Sequence, residues 1–184
     1  MSAALVPPAV PSSDATAVAL QATDAADVPS APKAVAFFKK SFDVRWADCD
    51  ANRHLRHSAY ADYATDVRLS YLNERGWPMS RFGDESIGAV ILREETRYKK
   101  EVHLGERIHV DFRVGHMSKC GRKWTVIQHI TNDDGVECAV CTLDGMWLQL
   151  DTRRPVRPPA DLHSTMTRIV DEDEVAKRAK RRRR

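Results

Sequence analysis

Apolar and polar residues alternate along several stretches of this chain, which is the pattern of β-strands with one buried face. The first stretch covers residues 38–46, and its apolar positions share one parity: Phe38, Phe42, Val44 and Trp46. Four later stretches alternate or begin as apolar runs, and they predict strands over residues 87–98, 108–114, 123–131 and 136–150. The sequence NDDG at residues 132–135 predicts a hairpin turn between the last two strands.

One long helical pattern separates the first strand from the others. Its apolar residues recur every three or four positions on one broad face, at Tyr60, Tyr63, Ala64, Val67, Tyr71 and Leu72. Ser58 is a suitable N-cap, and Gly76 followed by Pro78 ends a helix in the usual order. The pattern therefore predicts a helix from Ser58 to about Arg75.

The order of these elements predicts the fold class. One strand, one helix and four strands give an α+β fold with a five-stranded antiparallel sheet around one long helix. A single helix does not cover both faces of such a sheet. The uncovered face and edge would suit a partner subunit, so we expect a homodimer or a dimer of dimers.

The segment WADCDANRHLRHSAY, residues 46–60, joins the first strand to the helix and concentrates chemically useful side chains. A carboxylate from Asp48 or Asp50 can act as base or nucleophile, and the start of a helix offers free N–H groups to a developing oxyanion. Asp and Asn also favour turns and N-caps, so a purely structural turn is the alternative interpretation.

The two ends of the chain differ in composition from its middle. Residues 1–34 are rich in Ala, Pro, Ser, Thr and Asp and nearly free of aromatic and basic residues, which predicts a disordered leader. Residues 166–184 are predicted to be a charged tail ending in four arginines. This leaves residues 35–165 as a single domain, and we expect that segment alone to fold and to keep its oligomeric state and most of its activity.

The basic charge of the chain is concentrated at its end. The formal net charge is +3, and residues 171–184 hold seven basic and four acidic side chains. The rest of the chain therefore carries 22 of the 29 basic and 22 of the 26 acidic residues and is neutral. A nucleic-acid-associated protein acting through the tail is a third hypothesis, but the neutral domain argues against it.

The cysteines and the hydropathy pattern bear on the compartment. Cys49, Cys120, Cys138 and Cys141 form no disulfide framework, so we predict a cytoplasmic protein. No apolar run approaches the about 20 residues of a membrane span. Prolines interrupt the N-terminal segment, which lacks the features of a signal peptide.

Metal-binding motifs are incomplete. The run from Asp48 to Asn52 is like the opening of a calcium loop, but Arg53 replaces the required Gly and Ala59 the required Glu. Cys138 and Cys141 would point to opposite faces of a strand, which indicates core residues rather than a metal or redox pair. We predict no metal and no cofactor.

These features together resemble a known family. Residues 42–160 are similar to hotdog-fold acyl thioesterases of the 4-hydroxybenzoyl-CoA thioesterase superfamily, in which a strand, a long central helix and four antiparallel strands follow in this order. The sequence WADCD at residues 46–50 resembles the segment that carries the catalytic aspartate of the bacterial 4-hydroxybenzoyl-CoA thioesterase as its second Asp. The resemblance assigns that role to Asp50.

A second similarity extends the implied site. Asp50, Asn52 and His54, followed by Tyr60, have the spacing of plant acyl-carrier-protein thioesterases, in which Asp, Asn and His act with a Glu on a later strand. The sequence YKKE at residues 98–101 resembles that Glu segment and supplies Glu101. The chain departs from those relatives at residue 57, where His replaces the usual Asn, and in having one hotdog domain rather than two.

The resemblance implies hydrolysis of an acyl thioester. Asp50 would attack the carbonyl or activate water, Asn52 would orient water or substrate, and His54 would position the carboxylate or move a proton. Glu101 would be the competing base. The helix start at His57 and Ser58 would supply oxyanion donors, and Tyr60 would bind substrate.

The substrate and the activity each leave an alternative open. Acyl-CoA is the expected substrate, and an acyl-carrier-protein substrate is the alternative. A hotdog protein that binds an acyl thioester without cleaving it is the competing hypothesis, in which the aspartate and histidine are structural.

Overall fold

An antiparallel sheet of six strands is the framework of residues 37–171, the part of the chain that the computed structural model describes. Its strands are β1 Phe38–Asp43, β2 Ile87–Tyr98, β3 Arg107–Met117, β4 Lys123–Asn132, β5 Glu137–Gln149 and β6 Arg154–Pro155. The five longer strands lie in the order β1-β3-β4-β5-β2, and β6 pairs with the end of β5. The predicted leader and residues 172–184, which hold all seven basic side chains of the run after residue 171, fall outside the described residues.

The strand predictions need two corrections. The predicted count of five is wrong, because Pro155 pairs with Leu148 in a sixth strand, the two-residue β6. The placement of Trp46 on the buried face is also wrong, since its side chain is 81% exposed. The chain leaves β1 at Asp43 and forms a 3-10 turn at Trp46–Asp48, which breaks the alternation after Val44.

Three helices accompany the sheet: α1 His57–Glu74, α2 Met79–Asp84 and α3 Ala160–Thr167. Helix α1 packs against β1, β3 and β5 and buries the predicted apolar face. Helices α2 and α3 were not predicted, because six and eight residues are too short for a helical period to stand out. None of the described helices is both long and apolar enough to cross a membrane.

The N-cap of α1 lies two residues before the predicted N-cap, Ser58. The helix begins at His57, and Arg56 holds the N-cap position without a side-chain cap. Ser58 is therefore inside the first turn and not the cap. Its hydroxyl accepts a hydrogen bond from the Arg56 guanidinium instead, which leaves the first N–H groups of α1 uncapped by a side chain.

Tyr71 ties α1 to the sheet and to α3. Its ring contacts Phe112 of β3 at a centroid distance of 4.9 Å and Phe38 of β1 at 5.4 Å. Its hydroxyl donates a 2.7 Å hydrogen bond to the carbonyl of Thr165. Because a buried phenol needs such a partner, α3 is held by both packing and polar contact.

Cys138 and Cys141 are free and fully buried in β5. Burial raises the pKa of both thiols, which keeps them protonated at neutral pH. The interpretation of this pair as core residues is confirmed.

The packed structure continues beyond residue 165. Met166 and Ile169 are only 2% and 5% exposed. The main chain of Ile169 and Asp171 exchanges hydrogen bonds of 3.0 and 2.9 Å with Val114 of β3. The expected domain boundary at 165 is therefore too early, because a composition dominated by charge concealed two apolar residues that complete the core.

Because Met166 and Ile169 are part of the core, truncation after residue 165 should destabilise the protein. A chain of residues 35–165 should be less stable than one of residues 35–171 by about 3 kcal/mol or more, because it lacks Met166 and Ile169. Urea denaturation of the two truncated chains measures the difference. Equal free energies of unfolding would show that residues 166–171 contribute nothing to the core.

The carboxylate of Asp48 organises the connection between β1 and α1. It is buried, and it accepts a 2.8 Å hydrogen bond from Arg45 Nε and a 2.6 Å hydrogen bond from the Tyr63 hydroxyl on α1. The main-chain carbonyl of Asp48 accepts a 2.8 Å hydrogen bond from the Arg56 N–H. The Arg45 guanidinium lowers the pKa of Asp48 from 3.8 to about 2 in spite of its burial. Asp48 therefore stays ionised and fully engaged in structure.

The lowered pKa predicts an acid-sensitive contribution to stability. A folded-state pKa of about 2, below the ordinary 3.8, means that the Asp48 carboxylate stabilises the fold above about pH 4 and ceases to do so as the pH falls towards 2. Asp48→Asn should cost about 1–3 kcal/mol at pH 7, and this difference from the wild type should shrink below pH 4. Thermal denaturation across pH measures it.

The exposed Asp84→Asn variant is the control for this measurement, because it removes a carboxylate at the end of α2. An Asp48→Asn penalty that stays constant from pH 7 to pH 2.5 would contradict the assigned ionisation.

Candidate functional site

A solvent-open cleft of about 380 Å³ lies at the start of α1. It is lined by Asp50, His54, Leu55, His57, Tyr60, Tyr98, Lys99, Lys100 and Glu101. Three segments meet there: the turn after the 3-10 helix, the first turn of α1, and the end of β2 with the residues that follow it. Five of the seven predicted site residues are among those lining the cleft.

Asp50 occupies a tight turn. Its Oδ1 accepts the main-chain N–H groups of Asn52 at 2.8 Å and His54 at 3.3 Å, and Arg53 takes a φ of +67°. This is the Asx-type turn that the structural interpretation predicted. Both hydrogen bonds use Oδ1, so Oδ2 has no partner in residues 37–171 and can face a reactant.

His54 and Glu101 are brought together by a short pairing of two distant segments. The Leu55 N–H donates to the Val102 carbonyl at 2.7 Å, and His54 forms an antiparallel bridge with His103. Leu55 and Val102 are buried, so the alternation of side chains turns their neighbours outward. As a result, His54 Nε2 lies 3.3 Å from Glu101 Oε2.

The first turn of α1 provides main-chain donors beside these side chains. The N–H groups of His57 and Ser58 have no acceptor within the helix, because the first residues of any α-helix lack one. The helix dipole adds a partial positive charge at this end. The His57 carbonyl accepts a 3.3 Å hydrogen bond from the Tyr98 hydroxyl, which links the helix start to the end of β2.

Tyr60 forms part of the cleft wall. It is 3% exposed and packs edge-on against Tyr98 at a centroid distance of 5.1 Å. Burial raises the pKa of Tyr60 to about 12, so its hydroxyl stays neutral. The aromatic pair gives the cleft an apolar wall opposite its charged residues.

Two predicted site residues lie outside the cleft lining. Asn52 is exposed on the turn, and Ser58 is occupied by the Arg56 guanidinium. Sequence reasoning in turn missed Tyr98, Lys99 and Lys100 as lining residues, although they belong to the same YKKE run that pointed to Glu101. Their proximity to the helix start depends on the pairing of distant segments.

One group of side chains has the donors that a divalent metal ion needs. One ligand atom each from His54, Glu101 and His103 lies within 4.8 Å of the others. Two imidazoles and a carboxylate are the ligand set of several zinc sites, which keep an open fourth position. All three side chains are partly or well exposed, and His103 also lies 3.5 Å from Glu106.

The sequence of this chain is similar to those of known thioesterase-like proteins. The family model of the Thioesterase-like superfamily matches residues 44–166. A curated relative, a candidate esterase of Aquifex aeolicus, is 26% identical over 76 residues, which are 41% of this chain and 59% of that protein. The chain thus spans less than two thirds of the length of this relative.

Solved structures show the same fold. A Staphylococcus aureus protein determined in complex with CoA has a TM-score of 0.68 at 19% identity, over 75% of this chain and 86% of that one. A 1,4-dihydroxy-2-naphthoyl-CoA thioesterase from Synechocystis has a TM-score of 0.66 at 12% identity, over 72% and 96%. At these identities the likeness concerns the hotdog fold alone. The family-model match, which covers most of the chain, shows that this protein belongs to the thioesterase-like superfamily.

Proposed function

We propose that this protein hydrolyses acyl thioesters, with acyl-CoA as substrate and Asp50 at the centre of the site. The observation that carries the proposal is the meeting, in one open cleft, of the Asp50 carboxylate, the His54–Glu101 pair and the uncapped start of α1. A thioester carbonyl is already electrophilic. The reaction therefore needs an oxygen nucleophile and oxyanion donors, which these groups supply.

The proposed reaction begins with the thioester oxygen facing the N–H groups of His57 and Ser58. These donors stabilise the negative charge that develops on the carbonyl oxygen. Asp50 Oδ2 then acts in one of two ways. It attacks the carbonyl carbon, expels the thiolate and forms a mixed anhydride that water hydrolyses, or it takes a proton from a water molecule that attacks instead. Both routes give a carboxylic acid and a thiol.

His54 and Glu101 form the second functional pair. At 3.3 Å, an Nε2–H of His54 can donate a hydrogen bond to the Glu101 carboxylate, which orients the imidazole. The pair could accept the proton of the attacking water or deliver a proton to the leaving thiolate. Asn52 is assigned a water-orienting role only by resemblance, because its side chain lies outside the cleft lining.

The charges around the cleft favour CoA as the carrier. Lys99 and Lys100 line the cleft, and Lys99 also pairs with Glu137. The phosphates of CoA are anions that lysine binds as point charges. The structurally similar Staphylococcus aureus protein was solved with CoA. An acidic carrier protein would respond to the same lysines, so comparing acyl-CoA with the matching acyl-carrier protein distinguishes the two substrates.

The second candidate function is acyl-thioester binding without cleavage. The observation that favours it is the use of Asp50 Oδ1 in the turn, which is a sufficient structural reason for an aspartate at this position. In that case the cleft holds a thioester, and the wild-type protein turns over none of a panel of aryl, short, medium and long acyl-CoAs.

Replacement of Asp50 is the direct test of the catalytic proposal. Asp50→Asn keeps an oxygen that can accept the two turn hydrogen bonds but removes the charge, so the fold and substrate binding should persist. Turnover, measured by thiol release, should fall by about 10²-fold or more. Asp84→Asn, which removes an exposed carboxylate outside the cleft, should keep full turnover.

Glu101→Gln completes this comparison. If Asp50→Asn keeps near-normal turnover while Glu101→Gln loses it, Glu101 is the base and Asp50 has only the structural role. A loss of activity in the Asp84→Asn control would mean that the effect of removing charge is not specific to the cleft.

The unpaired edge of β2 leads to a prediction about assembly. Within residues 37–171, β2 pairs with β5 on one side only, and its Ile91 and Leu92 are 45% and 53% exposed. A twelve-residue edge strand with apolar side chains is a surface that proteins normally cover. We expect a homodimer or a dimer of dimers that uses this edge, with Asp50 and Glu101 near the boundary. Light scattering at micromolar concentration should give two or four times the single-chain mass.

Leu92→Lys should weaken this assembly, and Leu104→Lys is the matched control at an equally exposed apolar side chain away from β2. A monomeric wild type, or dissociation by the control substitution alone, would contradict the use of the β2 edge.

A further inference from the structure

A second cavity, of about 480 Å³, lies between α1, α2 and the sheet. Its walls are apolar and include Leu72, Phe82, Trp124, Trp147 and Met166. Arg68 of α1 is the one charged side chain among the described residues that line it. A guanidinium in an apolar pocket requires an explanation, because removing a charge from water is costly unless a partner compensates.

The partners of Arg68 are neutral. Its Nη1 donates to the Gln128 side-chain oxygen at 2.8 Å, and its Nη2 donates to the Thr65 hydroxyl at 2.7 Å. Gln128 is fully buried, and its amide nitrogen is held by the carbonyls of Ala64 and Asp111, so its oxygen is fixed towards the arginine. Arg68 is thus held in one position by neutral acceptors.

No carboxylate within residues 37–171 lies within 4.0 Å of the Arg68 guanidinium, although Glu94 of β2 acts on it from further away. Burial lowers the pKa of Arg68, which is the direction expected for a cation whose charge is poorly compensated. An arginine side chain has five N–H donors, and the two bonds described above leave three for another acceptor.

The walls around these donors are apolar. Trp124 and Trp147 line the cavity together with Leu72, Phe82 and Met166. The cavity therefore combines apolar walls with guanidinium N–H groups that the bonds to Gln128 and Thr65 do not use, which is the complement of an apolar group that ends in an anion.

The cavity and the cleft lie along the same two elements. At the cleft, His57 and Tyr60 of α1 face Tyr98 at the end of β2; at the cavity, residues 65–72 of α1 accompany residues 87–91 at the start of β2. With a rise of 1.5 Å per residue, Arg68 lies about 16 Å along the helix from His57. A chain attached to a carbonyl in the cleft could therefore follow α1 to Arg68.

We propose that Arg68 binds a carboxylate at the far end of the acyl group, so that the preferred substrates are thioesters of long α,ω-dicarboxylic acids. This inference rests on the proposed thioesterase function of the cleft. The apolar walls bind the methylene chain, and the planar guanidinium accepts the carboxylate in the bidentate geometry that arginine favours. Plain fatty acyl thioesters of the same length leave the guanidinium without an anion.

Paired substrates test this specificity in the full-length protein. The ratio of kcat/KM for an ω-carboxyacyl-CoA to that for the plain acyl-CoA of equal length should exceed about 10 in the wild type, because a hydrogen bond to a charged group discriminates at this level. Arg68→Met should reduce the ratio at least 10-fold by lowering only the dicarboxylic value. Arg68→Lys should recover part of the ratio, and Glu94→Gln should keep it.

A binding measurement separates this proposal from the proposed function. Trp124 and Trp147 line the cavity, so titration with dodecanedioate should change the tryptophan fluorescence saturably in the wild type and not in Arg68→Met. The uncharged dimethyl ester should bind both proteins equally. If no acyl-CoA is hydrolysed but dodecanedioate still binds through Arg68, the thioesterase proposal fails while the anion site stands.

Three results would overturn the proposal for Arg68. The first is a wild type that hydrolyses acyl-CoA without preference for the ω-carboxy substrates. The second is an Arg68→Met variant that loses activity equally on both substrates. The third is an Arg68→Met variant that keeps its melting temperature but dissociates by light scattering, because Arg68 would then bind a carboxylate of a second copy of the chain.

Discussion

The hydrogen bonds of the buried Asp48 are the interaction on which the geometry of the cleft depends. Its carboxylate joins Arg45, which precedes the Asp50 turn, to Tyr63 on α1, and its carbonyl accepts the N–H of Arg56. The chain is thus tied to α1 on both sides of the turn. Because reacting groups must be held to a fraction of an ångström, the proposed reaction requires a fixed frame of this kind around Asp50 and the start of α1.

The two aspartates of the WADCD sequence differ in burial, and the proposed reaction uses only the exposed one. Asp48 is buried, its oxygens are occupied and its pKa is about 2, so it serves as a permanent anion within the frame. Asp50 is exposed at the cleft and keeps one oxygen outside the turn. Buried Leu55 and Val102 complete the arrangement, because their pairing turns His54 and Glu101 outward on the same side.

The cleft and the apolar cavity both lie along α1 and β2, so the same two elements could bind the reacting carbonyl and the acyl group. In the proposed reaction, the dipole and the free N–H groups at the start of the helix stabilise the developing oxyanion. Further along, the walls become apolar and Arg68 supplies a fixed cation with spare donors. Under this proposal, one helix polarises the reacting carbonyl at one end and selects the acyl group at the other. The exposed apolar residues of β2 lie beside this path, so a second subunit bound there would also shield the acyl group from water.

The sequence by itself determined the elements whose signal is periodic, which are the five longer strands and the buried face of α1. Side chains that alternate or recur every three to four residues record which face is buried. The Asp50 segment was found by its residue types instead. The sequence could not determine the short β6, α2 and α3, which are too short for a period. Nor could it show that Met166 and Ile169 complete the core. Only the tertiary structure decided that Glu101 meets His54 and that Arg68 lines an apolar cavity. These relations join residues far apart in the chain through sheet pairing and packing, which leave no local pattern.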